Sequence, residues 1–244
     1  MSTFEIVSFN DIVITDLYTV LGSVRPPAGV VNSTQEVSGY DGVKITGSYI
    51  PSDSITLYIL LKNMSLAERR EEIRRLRGLL HTEGLAKLKF STDNGLYYMA
   101  KLDGDFGVTQ HVRADLITVT FILEQNILYG KIHTVTVPSG GSVTFHVDGT
   151  YKSNPVISGR VSADSSTLLW GVRLDEQDYV RIKTGSTEPR DVVIDCENYV
   201  ASVSGTTAML TLNSDWLELK NGEHTITNDV GSGSCTVIWQ DRWL

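Results

Sequence analysis

The chain has little of what most catalytic and metal-binding architectures need. It holds two cysteines, Cys196 and Cys235, among 244 residues. That is too few for a disulfide framework or a zinc cage, so buried free thiols are expected. The five histidines (His81, His111, His133, His146 and His224) are scattered singly, none at metal-ligand spacing from another. No C-x-x-C, H-E-x-x-H or G-x-S-x-G run occurs, so zinc ribbons, zincins and nucleophile-elbow hydrolases lack their minimum residues. No stretch approaches the ~18 consecutive apolar residues of a membrane-spanning helix, and no membrane insertion is expected. Met1–Asn10 carries Glu5 and lacks the cationic start and apolar run of a secretory signal, so synthesis in a cytosol is expected. Without secretion, the N-x-[ST] matches at Asn32 and Asn63 carry no weight. Cations are in the minority: 21 Lys and Arg against 29 Asp and Glu give a net charge of -8. Gripping nucleic-acid phosphates requires clustered cations, and this balance argues against it.

What is present is an ordinary globular composition, 41% apolar and 20% charged, long enough for one large or two small cores. Period-two alternation recurs, as in Ile117–Leu123 and Ile132–Val137, with turn signals between the runs at Asp93-Asn94-Gly95, Asp148-Gly149 and Asn221-Gly222. Such short alternating runs predict antiparallel sandwich or barrel structure. The clearest hairpin joins Lys87–Phe90 to Leu96–Leu102, with Gly95 supplying a positive φ. One segment breaks the pattern. Ser65-Leu66-Ala67-Glu68 has capping-box spacing, and Ile73, Leu76 and Leu80 form one apolar stripe behind it. This predicts a single amphipathic helix over about 66–81, with Gly84 near its C-cap and its Glu and Arg residues, Arg69 included, on a solvated or subunit-facing surface.

A join is expected near 130–139, where Gly130 is followed by the breaker cluster Pro138-Ser139-Gly140-Gly141-Ser142. The fold expectation is therefore mainly β: two β-sandwich-like domains, residues 1–131 carrying the helix and residues 132–244 carrying all four Trp.

The remaining chemical candidates are weak. Asp105-Phe106-Gly107 matches a kinase metal triplet without the rest of a kinase. Lys183-Thr184-Gly185 lacks an S-x-x-K partner, and Asp103-Gly104-Asp105 reads as a turn rather than a calcium loop. Asp195 and Glu197 would share a strand face and could pair as glycosidase carboxylates, though a solvated strand face does the same for solubility. Trp170 or Trp216 could form a carbohydrate platform, with core packing as the competing use of each. No catalytic, metal-binding or cofactor-binding residue emerges.

Taken in order, the features resemble a family. Gly39-Tyr40-Asp41-Gly42 precedes a strand pair running to Ile55–Leu61. The Glu68–Arg77 helix, the hairpin Leu88–Leu102, Gly104-Asp105 and the strand Ala114–Glu124 follow. Then come Asn154-Pro155-Val156-Ile157-Ser158-Gly159, Val193–Asn198, Ser214–Leu219, Asn221–Ile226 and the aromatic close Trp239–Leu244. This series is similar to the distal tail protein (Dit) family of long non-contractile-tailed phages and prophages, over essentially the full chain. The resemblance implies a structural virion protein at the tail tip, made in the host cytoplasm and not an enzyme. It implies a galectin-like second domain and a homo-hexameric ring around a channel through which DNA passes without specific binding. The implied partners are the tail tube protein, the tail-associated hub or fibre protein and receptor-binding proteins. The polar, Gly- and Pro-rich stretch between Leu17 and Tyr40, with Arg25, Pro26 and Pro27, and the hairpin bearing Tyr97 and Tyr98 are the candidate ring-contact segments. The alternative is a carbohydrate-binding sandwich module acting in host cell-wall recognition.

Overall fold

A computed structural model of the chain describes residues 5–39 and 41–244, without the side chain of Asp105. Tyr40 and the carboxylate of Asp105, both part of the motifs above, lie outside the described residues. The chain is mainly β and divides into two compact units, one of residues 1–129 with Leu244 and one of residues 130–243.

In the first unit the order is β1 (Val7–Phe9), β2 (Ile12–Val13), α1 (Ile14–Leu17), β3 (Thr19–Val24), β4 (Val31–Glu36), β5 (Val43–Tyr49) and β6 (Ser54–Lys62). Helix α2 (Leu66–Leu80), β7 (Ala86–Phe90), β8 (Tyr97–Gln110) and β9 (Ala114–Leu123) follow. The main sheet is antiparallel, with strands in the order β3-β6-β9-β8-β7-β1-β2. It curls on itself: the rings of Phe9 and Phe121, from strands that are not neighbours, are 4.7 Å apart. Inward positions alternate strictly. Ile55, Leu57, Ile59 and Leu61 on β6 and Ile117, Val119, Phe121 and Leu123 on β9 are buried, as half-buried strands require.

Helix α2 begins where its cap predicts. The Ser65 hydroxyl accepts from the Glu68 amide at 3.3 Å, and the Glu68 carboxylate accepts from the Ser65 amide at 2.7 Å. Leu76 and Leu80 are buried in the unit's core, with Ile73 packed against it. Two expectations are corrected. The C-cap is His81, in extended conformation, not Gly84. Arg69 is buried rather than solvated, because it pairs with Asp115 at 2.7 Å and also donates to the His111 carbonyl. The one-turn α1 was not anticipated, since four residues are too few to show a helical period.

The chain passes into the second unit within β10 (Leu128–Val137) and continues through β11 (Ser142–Val147), β12 (Val156–Val161), β13 (Leu169–Leu174), β14 (Asp178–Lys183) and β15 (Arg190–Asp195). It ends with β16 (Val200–Val203), β17 (Thr206–Thr207), β18 (Gly222–Val230) and β19 (Cys235–Trp243). One layer runs β17-β16-β15-β12-β19-β10 and the other β11-β18-β13-β14. Between them lies a core of Ile157, Trp170, Val172, Ile194, Val237, Trp239 and neighbours. The Pro138–Gly141 cluster makes the β10–β11 turn, closed by the Gly141 amide on the Pro138 carbonyl at 3.1 Å.

Candidate functional site

Between β3 and β6 the chain leaves the sheet and forms a two-stranded arm, β4–β5. Because β3 and β6 pair with each other, the arm is an outward continuation of that hairpin. Its root is held by one side chain. Arg25 donates to both oxygens of Asp93 at 3.0 and 2.9 Å and to Glu5 at 2.9 Å, and its guanidinium lies 4.3 Å from the centroid of the Phe90 ring. A planar, five-donor group suits this bidentate and stacked use, which lysine could not reproduce. Beyond it, the Pro26 carbonyl accepts from Asn126 at 3.3 Å. Arg25, Pro26, Pro27 and Tyr98 thus line one cleft of about 510 Å³, with Asn126 and Leu128 among its other walls. Tyr97, one residue along β8, has the opposite orientation. It stacks on Tyr129 at 5.9 Å and receives the Lys87 ammonium at 4.6 Å.

Every residue of β4 and β5 is exposed, and among the described residues neither strand pairs with any other. The strand pair expected to run to Ile55–Leu61 therefore divides: β5 pairs with β4, while β6 joins β3 and β9. The sequence did carry a signal for the arm, the alternation of Val43, Ile45 and Tyr49 with Lys44, Thr46 and Ser48.

The proposed carbohydrate platform is corrected at Trp170, which is 0% exposed at the centre of the second unit's core. It occupies an inward position between Val172 and the turn at Gly231, whose added Cβ would meet Trp170 at 2.9 Å. Trp216 is partly buried against the same core, and the exposed ring of Tyr199 meets it edge-on at 5.6 Å. The edge-on geometry leaves no flat two-ring surface. Lys152 pairs with Glu218 close by, and that hydrogen bond is the main cause raising the Lys152 pKa.

Asp195 and Glu197 do not form a carboxylate pair. Asp195 caps its own turn, accepting from the amides of Glu197 and Asn198 at 3.0 and 3.1 Å, while Glu197 takes Arg242 at 2.9 Å. His133 and His146 pair with Asp241 and Asp148, respectively. The turn expected at Asp103-Gly104-Asp105 is corrected: these residues lie within β8, where Gly104 takes a positive φ at the bulge between Asp103 and Gly107. Both cysteines are free and buried, and burial pushes the Cys196 thiol up to about 12 and the Cys235 thiol up to about 11. At those values neither is a nucleophile near neutrality. Among the described residues no cluster of three metal-ligating side chains occurs, and no helix is long and apolar enough to cross a membrane.

The described residues thus form two antiparallel β units, one bearing a projecting arm, and comparison with known proteins gives the class. Residues 8–123 match the phage tail protein RIFT-related domain, and residues 148–243 match the C-terminal domain of the siphovirus-type tail component. The chain belongs to the siphophage distal tail protein (Dit) family. None of the curated proteins matches it. Among solved structures it is similar to the SPP1 Dit protein, described as a paradigm of the hub adsorption apparatus in phages infecting Gram-positive bacteria. That match has TM-score 0.76 and 18% identity, over 99% of this chain and 100% of the other. Two baseplate structures of phage p2, in activated conformations with Sr and with Ca, match at 11% identity. Their TM-scores are 0.48 and 0.45, over 97% and 96% of this chain and 98% and 90% of theirs.

Proposed function

We propose that the chain is the distal hub of a siphophage tail. In this reading it forms a hexameric ring around the DNA channel at the tail tip, joining the tail tube to the tail-associated hub or fibre protein and to receptor-binding proteins. The observation that carries this reading is the tandem, in-order match of both family domains, over 8–123 and 148–243. The full-length fold similarity to a hub protein agrees with it. The charge is compatible: a net charge of -8 repels passing phosphates rather than trapping them. In this reading the protein works by shape and contact rather than by bond-making.

Arg25, Pro26 and Pro27 act in this reading as the root that fixes the direction of the arm. Purified protein imaged by negative stain and weighed by mass photometry should give a six-membered annulus with a central opening. Another closed stoichiometry, or a strict monomer at all concentrations, would overturn the ring. The carbohydrate-module reading rests on Tyr199 and Trp216 beside the Lys152–Glu218 pair. Titration calorimetry with host wall saccharides separates it, since a hub acting only as a scaffold gives no heat.

A further inference from the structure

We propose that one flank of α2 is a docking surface for an acidic segment of another protein, a short stretch of polypeptide bearing several carboxylates and an apolar anchor. The inference goes beyond the ring reading and stands whether or not the chain closes into a ring. Along the sequence the charges of Glu68–Arg77 are interleaved. Around the helix they are not. At about 100° per residue, Arg70, Arg74, Arg77 and the C-cap His81 fall within about 60° of arc. Glu68, Glu71 and Glu72 fall together on the next flank, with Arg75 among them. The buried residues Arg69, Leu76 and Leu80 make the third side.

The cationic stripe is exposed and runs about 16 Å along the helix. Arg74 reaches across to Glu71 at 2.6 Å, but the two side chains are 73% and 70% exposed, where such a pair is weak and readily exchanged. The Arg77 guanidinium lies 5.7 Å from the centroid of the Phe106 ring. Arg74, Arg77 and His81 line a cleft of about 550 Å³, together with Gly78 of the helix and Leu102 and Gly104 of β8. A Cβ built at Gly78 would meet nothing within 4 Å. Glycine inside a helix is destabilising relative to alanine, and neither close packing nor a positive φ calls for it here. Its effect is to leave the cleft open beside the stripe.

Charge selects the occupant. The chain carries -8 overall, so the stripe is a local exception. A nucleic acid extends past it and meets net repulsion from the rest of the surface. A short acidic segment stays within one Debye length of the guanidiniums, about 8–10 Å, and interacts with the stripe alone. Planar guanidiniums take carboxylates in bidentate fashion. Leu102 and the open space at Gly78 accept an aliphatic side chain, which a phosphate backbone does not offer. The surface is also held rigid before binding. The Ser65–Glu68 capping box, Leu76 and Leu80 in the core and the Arg69–Asp115 pair fix α2 in place, which keeps the ordering cost of docking low.

Fluorescence anisotropy on the full chain tests this, with a labelled peptide of alternating glutamate and leucine as the probe. The wild type should bind the peptide, with an affinity that falls as salt is added. Arg70→Glu combined with Arg74→Glu should weaken binding by roughly tenfold or more, with ellipticity at 222 nm confirming that the helix is retained. Arg75→Glu combined with Arg160→Glu changes the net charge equally but lies off the stripe, and should bind as the wild type does. Gly78→Leu, which fills the cleft without removing a charge, should also weaken the peptide. Equal losses in the two charge-reversed variants overturn the proposal, as does a wild type that does not bind the peptide. A duplex DNA probe that binds more tightly than the peptide, and is lost with the stripe, overturns it in favour of a nucleic-acid surface.

Discussion

The buried pair Arg69–Asp115 allows a quantitative test of how the first unit is held together. The two side chains are 5% and 1% exposed, and their 2.7 Å contact straps the first turns of α2 to the start of β9. Asp115→Ala leaves a guanidinium in the core with only the His111 carbonyl as partner. Breaking a buried ion pair from one side costs about 3–5 kcal/mol. With a urea dependence of about 1–3 kcal/mol per molar, the midpoint should fall by roughly 2 M. The assay follows from the composition. All four tryptophans lie in residues 130–243, and among the described residues the only long helix lies in the first unit. Helical ellipticity at 222 nm therefore reports on the first unit and tryptophan emission on the second.

Asp115→Ala should lower the ellipticity midpoint and leave the emission midpoint in place. The pair itself is imperfect, since Nε of Arg69 and Oδ2 of Asp115 are buried without hydrogen-bond partners. Charges taken out of water with groups unsatisfied gain little from each other. The double replacement Arg69→Met with Asp115→Leu should therefore be far less damaging than either single change, and can exceed the wild type. The reasoning fails if Asp115→Ala shifts the midpoint by less than about 0.5 M, or if the double variant loses as much as the two singles added together.

Three further outcomes are expected. Gly149 has φ +109°, and an added Cβ would lie 2.1 Å from the Arg242 carbonyl oxygen; Gly149→Ala should destabilise the second unit by at least ~2 kcal/mol, read by tryptophan emission. Cys196 and Cys235, with thiols raised to about 12 and about 11 by burial, should resist iodoacetamide at pH 8 and react in denaturant; rapid labelling of the folded protein would contradict the burial. The Tyr18 hydroxyl is raised from 10.0 to about 12, first by burial and then by its hydrogen bond to Glu72. The neutral phenol is the form favoured by folding, so its contribution is complete below pH 10 and is lost between about 10 and about 12. Tyr18→Phe should flatten the alkaline fall in stability over that window, and an unchanged slope would remove Tyr18 as its source.

Where the sequence was readable, the determining physics was local. The Ser65–Glu68 box, the φ of Gly95 and the alternation of β9 each depend on residues within a few positions of one another, and each appears in the structure as expected. Arg69 and Asp115 were missed for an instructive reason. Arg69 lies four residues before Ile73, on the same helical stripe as Leu76 and Leu80. Asp115 lies two residues before Ile117, on the inward parity of β9. Both occupy core positions by period, and reading charge as a sign of solvent concealed that. Opposite charges at inward positions of two separate elements are in fact the signature of a buried pair, because only a partner makes such a position tolerable. Trp170 follows the same logic, as it shares its parity with Val172 and Leu174. The arm marks the opposite limit. The alternation of Val43, Ile45 and Tyr49 specifies an apolar face, but period alone cannot say whether its cover lies in the same chain. That depends on the pairing of β3 with β6, which removes the arm from its own core.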